Sequence, residues 1–237
     1  MPADLDRSPH QLHQFSYVFA ALFKAIQALK LFYEGDSLVE PSQRPFPYLN
    51  SFHPLDSESQ SKEKRICFTY ASALFPNTGR LLFVVNTTAE GYGPLLVKFC
   101  RQYGKEAHLK CGELGIAPKL AGFEHLAGGW FAAVMERLPL SFRPLRELTS
   151  EANLEQRVTD AAQRMHHAGF VHGDLRDTNI LVDNDGVKIV DWNWSGRPGE
   201  IKYPISINLQ VPRAAAVRGN VPIVEVHDME TVRLIFQ

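Results

Sequence analysis

The chain has 237 residues, 45% of them hydrophobic and 22% charged, which is enough to bury a real core and ordinary for a globular protein. Its formal net charge of −1 excludes a global basic field for nucleic acid and a polyacidic tail. The three cysteines, Cys67, Cys100 and Cys111, are odd in number and lack a CxxC spacing. They argue against a disulfide framework and for small buried apolar residues in a reducing compartment, cytoplasmic or nuclear.

The opening "MPADLDRSPHQLHQ" has no basic n-region and no cleavage site, so no secretory signal is expected. Leu12, Phe15, Phe19, Leu22, Phe23, Ile26 and Leu29 recur at helical spacing and predict an amphipathic helix from Pro9 to Glu34. Lys24, Gln27 and Lys30 interrupt it, so it is expected to pack on the body, on a partner or on a second copy rather than to span a membrane. A Pro- and Ser-rich arm follows, and residues 1–62 form an extension ahead of the main domain, 63–237.

From Arg65 the texture turns to strands. "RICFTYASALF", "RLLFVVNTT" and "PLLVKFC" read as three antiparallel strands, with "PNTG" and "EGYG" in the turns. "GKEAHLKCGELG" predicts a short helix ending at Gly115, with Pro118 just beyond. "LAGFEHLAGGW" and "FAAVMERL" predict two further strands. Ser150 then caps a helix from Glu151 that buries Leu154, Val158, Ala161, Ala162 and Met165 and stops at Gly169. "NILV" and "VKIV" around "DNDG" predict a hairpin. The order predicts an α+β chain: a small antiparallel sheet lobe (about 63–138) joined to a helical lobe (about 139–237), with a cleft between them.

The stretch "VHGDLRDTNILV" crowds polar groups between apolar pairs. Asn179 lies five residues after Asp174, and Asp191 twelve after Asn179. The hairpin folds the chain back between the last two, bringing two oxygen donors together, a set that suits Mg²⁺ when phosphates complete the shell. Asp174 is then placed to orient a hydroxyl or take its proton, and Arg176 to face a phosphate in transfer.

"HGDLRDTN" followed by "IVDW" resembles the catalytic loop and metal aspartate of the protein-kinase-like superfamily, and the pattern is also similar to fungal kinase-like sequences. The resemblance runs from Arg65 to the C-terminus and implies a two-lobed fold with a reduced C-lobe. It implies Lys98 as the strand lysine that contacts the α- and β-phosphates and Glu106 as its helix partner. It further implies Met135 as gatekeeper, Glu136 to Leu138 as the backbone that meets adenine, and Asp228 as a brace for the catalytic loop. Four features depart from the family: no GxGxxG precedes Lys98, Asn193 replaces glycine in "DWN", Gly173 replaces arginine in "HGD", and few residues follow the bracing helix. The third departure makes small-molecule as well as protein acceptors compatible with the pattern.

The resulting expectation is an ATP- and Mg²⁺-dependent phosphotransferase acting on a hydroxyl of a protein or small molecule, with no nucleic-acid partner. The alternative is a pseudokinase that uses the fold as a binding or regulatory scaffold. His172 is expected to brace the loop rather than ligate metal, and "DNDG" to be a turn rather than a calcium loop.

Overall fold

The computed structural model describes residues 9–35, 47–55, 65–76, 78–148, 153–184 and 186–237. The chain divides into two compact units, Met1–Phe46 and Pro47–Gln237. In the first, α1 (Pro9–Gly35) covers the helix that apolar spacing predicts. Among the described residues no helix is long and apolar enough to cross a membrane.

The second unit begins with β1 (Ser51–Phe52), which pairs with β2 (Ile66–Cys67). Residues 47–55 had the composition of an arm, yet Phe52 is fully buried and Leu49 nearly so, in the core of the sheet lobe. The main sheet contains β3 (Thr69–Ala73), β4 (Leu82–Asn86), β5 (Leu95–Cys100), β6 (Leu120–Leu126) and β7 (Trp130–Glu136), in the order β3-β4-β5-β7-β6, every pair antiparallel. Strand alternation sets the two faces of β5. Leu95, Val97 and Phe99 enter the sheet core, whereas Leu96 joins the cluster of Leu120, Ala133 and Met135 on the other face. Lys98 therefore rises from that second face. Between β5 and β6 lies α2 (Lys105–Glu113), closed by Gly115 at φ +74°.

The helical lobe has α3 (Leu154–His167) and α4 (Glu225–Ile235), with β8 (Arg143–Pro144), β9 (Ile180–Val182) and β10 (Val187–Ile189) in a small sheet ordered β10-β9-β8. The five predicted α3 side chains are all buried, and Gly169 at φ +84° ends the helix. The predicted cap Ser150 lies outside the described residues. The described helix begins after Asn153, which is left-handed at φ 67°. Ala107 and Cys111 of α2 share the core of α3, and Arg164 donates to the Leu114 carbonyl, so α2 is packed against both lobes. Among the cysteines, Cys100 and Cys111 are buried but Cys67 is exposed on its short strand.

Candidate active site between the sheet and helical lobes

The β9–β10 hairpin forms in the register Val187↔Val182, Lys188↔Leu181, Ile189↔Ile180, with the turn closed by Gly186 N–H donating to Asp183 Oδ1 at 3.0 Å. Its open end brings Asn179 to the residue before Asp191: the Val190 N–H donates to the Asn179 carbonyl at 2.9 Å. The hairpin thus does what the twelve-residue spacing requires.

Asp174 is buried, and its carboxylate is crowded with donors. Arg176 Nη2 donates to Oδ2 at 2.9 Å and Asn179 Nδ2 to the same oxygen at 3.0 Å. Arg176 Nε stands 2.8 Å from Oδ1, and Arg213 Nη2 donates to Oδ1 at 2.5 Å. The loop is braced from beneath. Asp228, 1% exposed on α4, accepts the N–H groups of His172 at 2.7 Å and Gly173 at 2.8 Å, and contacts His166 Nε2 at 3.2 Å. His172 bridges onward, with Nε2 3.1 Å from the Val190 carbonyl and Nδ1 3.3 Å from the Asp174 N–H. Gly173 has φ +77°, and a Cβ there would stand 2.7 Å from Ile223 Cδ1 and 3.1 Å from the Trp194 carbonyl. The glycine of "HGD" is therefore a local steric requirement.

Lys98 Nζ reaches Asp191 Oδ1 at 2.5 Å. Burial alone would raise the Asp191 pKa, but the charge and hydrogen bond of Lys98 hold it below the usual carboxylate value. Asp191 is itself left-handed, at φ 71° and ψ 62°, which turns the chain so that Trp192 plunges inward to 1% exposure. Trp192 stacks on His108 of α2 with an interplanar angle of 6°, meets His172 edge-on, and donates from Nε1 to the Ile189 carbonyl. His108 is fully buried between Tyr103 Oη at 2.7 Å and the Pro118 carbonyl at 2.7 Å. Desolvation lowers its pKa from 6.5 to about 4, so it is neutral at physiological pH.

The structure does not bring Glu106 to Lys98. Glu106 is exposed in the first turn of α2, off the buried face formed by Ala107, His108 and Cys111, where a carboxylate complements the helix N-terminus. Met135 is buried at the end of β7. Beyond it, the Glu136 N–H donates to the Lys119 carbonyl and the Arg137 N–H to the Pro94 carbonyl, each at 2.9 Å, which fixes the segment that carries Leu138. A cavity of about 690 Å³ on the helical lobe, lined in part by Leu145, Leu154, Thr159, Met229 and Phe236, includes none of these site residues.

Comparison with known proteins matches residues 132–197 to the RIO domain. A "probable bifunctional tRNA threonylcarbamoyladenosine biosynthesis protein" of Methanothermobacter thermautotrophicus is 34% identical over 59 residues, which is 25% of this chain and 11% of that protein's length. Among solved structures, vaccinia related kinase 3 superposes with a TM-score of 0.51 at 15% identity, over 79% of this chain and 67% of that one. The chain shares the two-lobed protein-kinase-like fold. A kinase of Cydia pomonella granulovirus, PK-1, gives 0.46 at 16% identity over 56% of this chain and 53% of that one.

On this kinase-like frame, Asp191 and Asn179 are the oxygen donors available to a metal. Asn179 Oδ1 has only a long contact from Thr178 at 3.4 Å, whereas both Asp174 oxygens are taken. Among the described residues no group of three or more His, Cys, Asp or Glu could hold an ion. A carboxylate plus an amide oxygen fits Mg²⁺ that arrives with nucleotide phosphates. Sequence reasoning passed over Tyr103, His108 and Arg213. The first two lie beside Glu106 in "QYGKEAH" but read there as an ordinary helix start, and Arg213 sits in a segment with no periodic signal.

Proposed function

We propose that the protein is an ATP- and Mg²⁺-dependent phosphotransferase with a hydroxyl acceptor. The supporting observation is the convergence of Lys98 from the sheet lobe with Asp191, beside an Asp174–Asn179 pair held by hydrogen bonds. Mg²⁺, held by Asp191 and Asn179 together with phosphate oxygens, would neutralise charge on the triphosphate. Lys98 then exchanges its partner: its ammonium leaves Asp191 for the α- and β-phosphates. The hydroxyl oxygen attacks the γ-phosphorus, the bond from that phosphorus to the β–γ bridging oxygen breaks, the acceptor proton passes to Asp174, and ADP leaves. Arg176 stabilises charge on the γ-phosphoryl group. Met135 and the backbone of Glu136 to Leu138 border the adenine. The acceptor is a protein or small-molecule alcohol.

A scaffold reading draws on two observations, the exposed Glu106 and the single glycine in the turn between β3 and β4. One experiment separates the two: Mg²⁺-dependent ATP turnover and Mg²⁺–ATP thermal shift for wild type, Asp174→Asn and Asp191→Ala. The phosphotransferase reading expects turnover in wild type and its loss in both variants, with the thermal shift lost only in Asp191→Ala. An inert wild type with no thermal shift leaves the scaffold.

A further inference from the structure

We propose that Arg213 is a latch on the base Asp174, occupying the place an acceptor hydroxyl must take; the inference rests on the phosphotransfer reading above. A carboxylate offers about four lone-pair positions. Asp174 has three hydrogen-bond donors on it, Arg213 Nη2 at 2.5 Å on Oδ1 and Arg176 Nη2 at 2.9 Å and Asn179 Nδ2 at 3.0 Å on Oδ2, while Arg176 Nε stands 2.8 Å from Oδ1 without donating to it. A general base needs an oxygen within roughly 2.6–3.2 Å of the proton it accepts. Oδ2 carries two donors, and Oδ1 is bonded by Arg213 and crowded by Arg176 Nε, so Arg213 has to leave before a hydroxyl can reach Oδ1.

Arg213 is the donor built to leave. Arg176 and Asn179 belong to the same tight loop as Asp174, pinned by the Arg176 N–H on the Asp174 carbonyl and the Asn179 N–H on the Arg176 carbonyl, both at 2.9 Å. Arg213 comes from 39 residues away, in the segment that joins the metal-binding aspartate to α4. The backbone beside it is anchored, since the Ala214 N–H donates to Thr231 Oγ1 at 3.2 Å and Ala214 and Val217 are buried. Release therefore needs only a side-chain rotation. The closed position is also incompletely satisfied. Arg213 Nε is buried with no acceptor, Nη1 has only a long contact to the Asn208 carbonyl at 3.3 Å, and the guanidinium lies 5.3 Å from the Trp194 ring centroid. One strong charge-assisted bond holds the latch, and an unpaired donor works against it.

The test is Mg²⁺-dependent ATP turnover by the full chain carrying Arg213→Ala or Arg213→Gln, the second keeping a side chain over Trp194 should the first unfold. Removing the latch is expected to raise turnover roughly tenfold, the scale of one charge-assisted hydrogen bond. Millimolar guanidinium, but not sodium at equal ionic strength, is expected to return the variants to the wild-type rate. Turnover that is unchanged or lower in variants with wild-type melting temperature overturns the latch and leaves the phosphotransfer reading standing. Absence of both turnover and Mg²⁺–ATP thermal shift in wild type and variants alike overturns both.

Discussion

Lys98 and Asp191, at the junction of the sheet and helical lobes, carry opposite charges 2.5 Å apart. Lys98→Met leaves Asp191 without its ammonium, so the Asp191 pKa is expected to rise and ATP turnover to fall at least ~100-fold, as for loss of a preorganised charge contact; steady-state kinetics checks this. Gly173→Ala tests the steric reading of "HGD". The left-handed backbone and the approach of Ile223 predict a loss of about 1–3 kcal/mol, read as a lower denaturation midpoint with an unchanged m-value. The clustering of Asp174, Asn179 and Asp191 was legible because spacing alone brings them together once a hairpin is assumed. Arg213 was not, because nothing local in "QVPRAAAV" marks a side chain that acts on a residue 39 positions earlier. The pairing of Lys98 with Asp191 rather than Glu106 was hidden for a related reason. A helix's rotation about its axis decides which of its residues face a strand, and the apolar residues of α2 are too few to fix that rotation from sequence.

At the scale of elements, α2 is joined to the segment of Asp191 and Trp192 by rings rather than by charge. Trp192 lies against His108, the Gly104 N–H donates to the Trp192 carbonyl at 2.8 Å, and Ser195 fits so closely over Gly104 that a Cβ there would collide with it. Gly104→Ala is therefore expected to displace α2 from Trp192, which tryptophan fluorescence and thermal melting would register. His108 gives this joint a pH dependence. Its folded pKa is about 4 against an ordinary 6.5, so below pH 6.5 the unfolded chain takes up a proton that the folded chain refuses. Its stabilising effect is present in full above pH 6.5 and is lost as pH falls toward 4, up to about 3 kcal/mol. Urea melts from pH 7.5 to 4.5 should show wild type losing more stability than His108→Gln, whose amide keeps a donor for Pro118 and an acceptor for Tyr103; parallel curves would remove His108 from this role. The strands and helices themselves were legible from alternation, spacing and glycine stops. The two-residue β1 and β8 were not, since so short a strand has no period to read and is held only by its neighbours.

For the molecule as a whole, composition places the edge of the folded domain near residue 62, while packing places it at Pro47. The difference turns on nine residues. Phe52 lies over Gly122, where no side chain larger than hydrogen fits beneath its ring. Its neighbours stitch the segment to β6: the His53 N–H donates to Glu124 Oε1 at 2.7 Å, the Leu55 N–H to the Ala121 carbonyl at 3.0 Å, and Arg65 reaches Glu124 at 3.3 Å. A Pro- and Ser-rich composition reports the many turn-forming residues and overlooks the single aromatic that decides burial. Chains beginning at Pro47 and at Glu63 distinguish the two boundaries. The first keeps all four core clusters described in the second unit and is expected to melt cooperatively with an intact Mg²⁺–ATP thermal shift. The second loses Phe52 and Leu49 from the sheet core, a deletion on the scale of a buried Phe→Ala at about 3–5 kcal/mol, and exposes the edge of β6. It is expected to melt at a lower temperature and to aggregate. Equal melting of the two would return residues 47–55 to the status of an arm and would require Gly122 to be open to substitution by alanine.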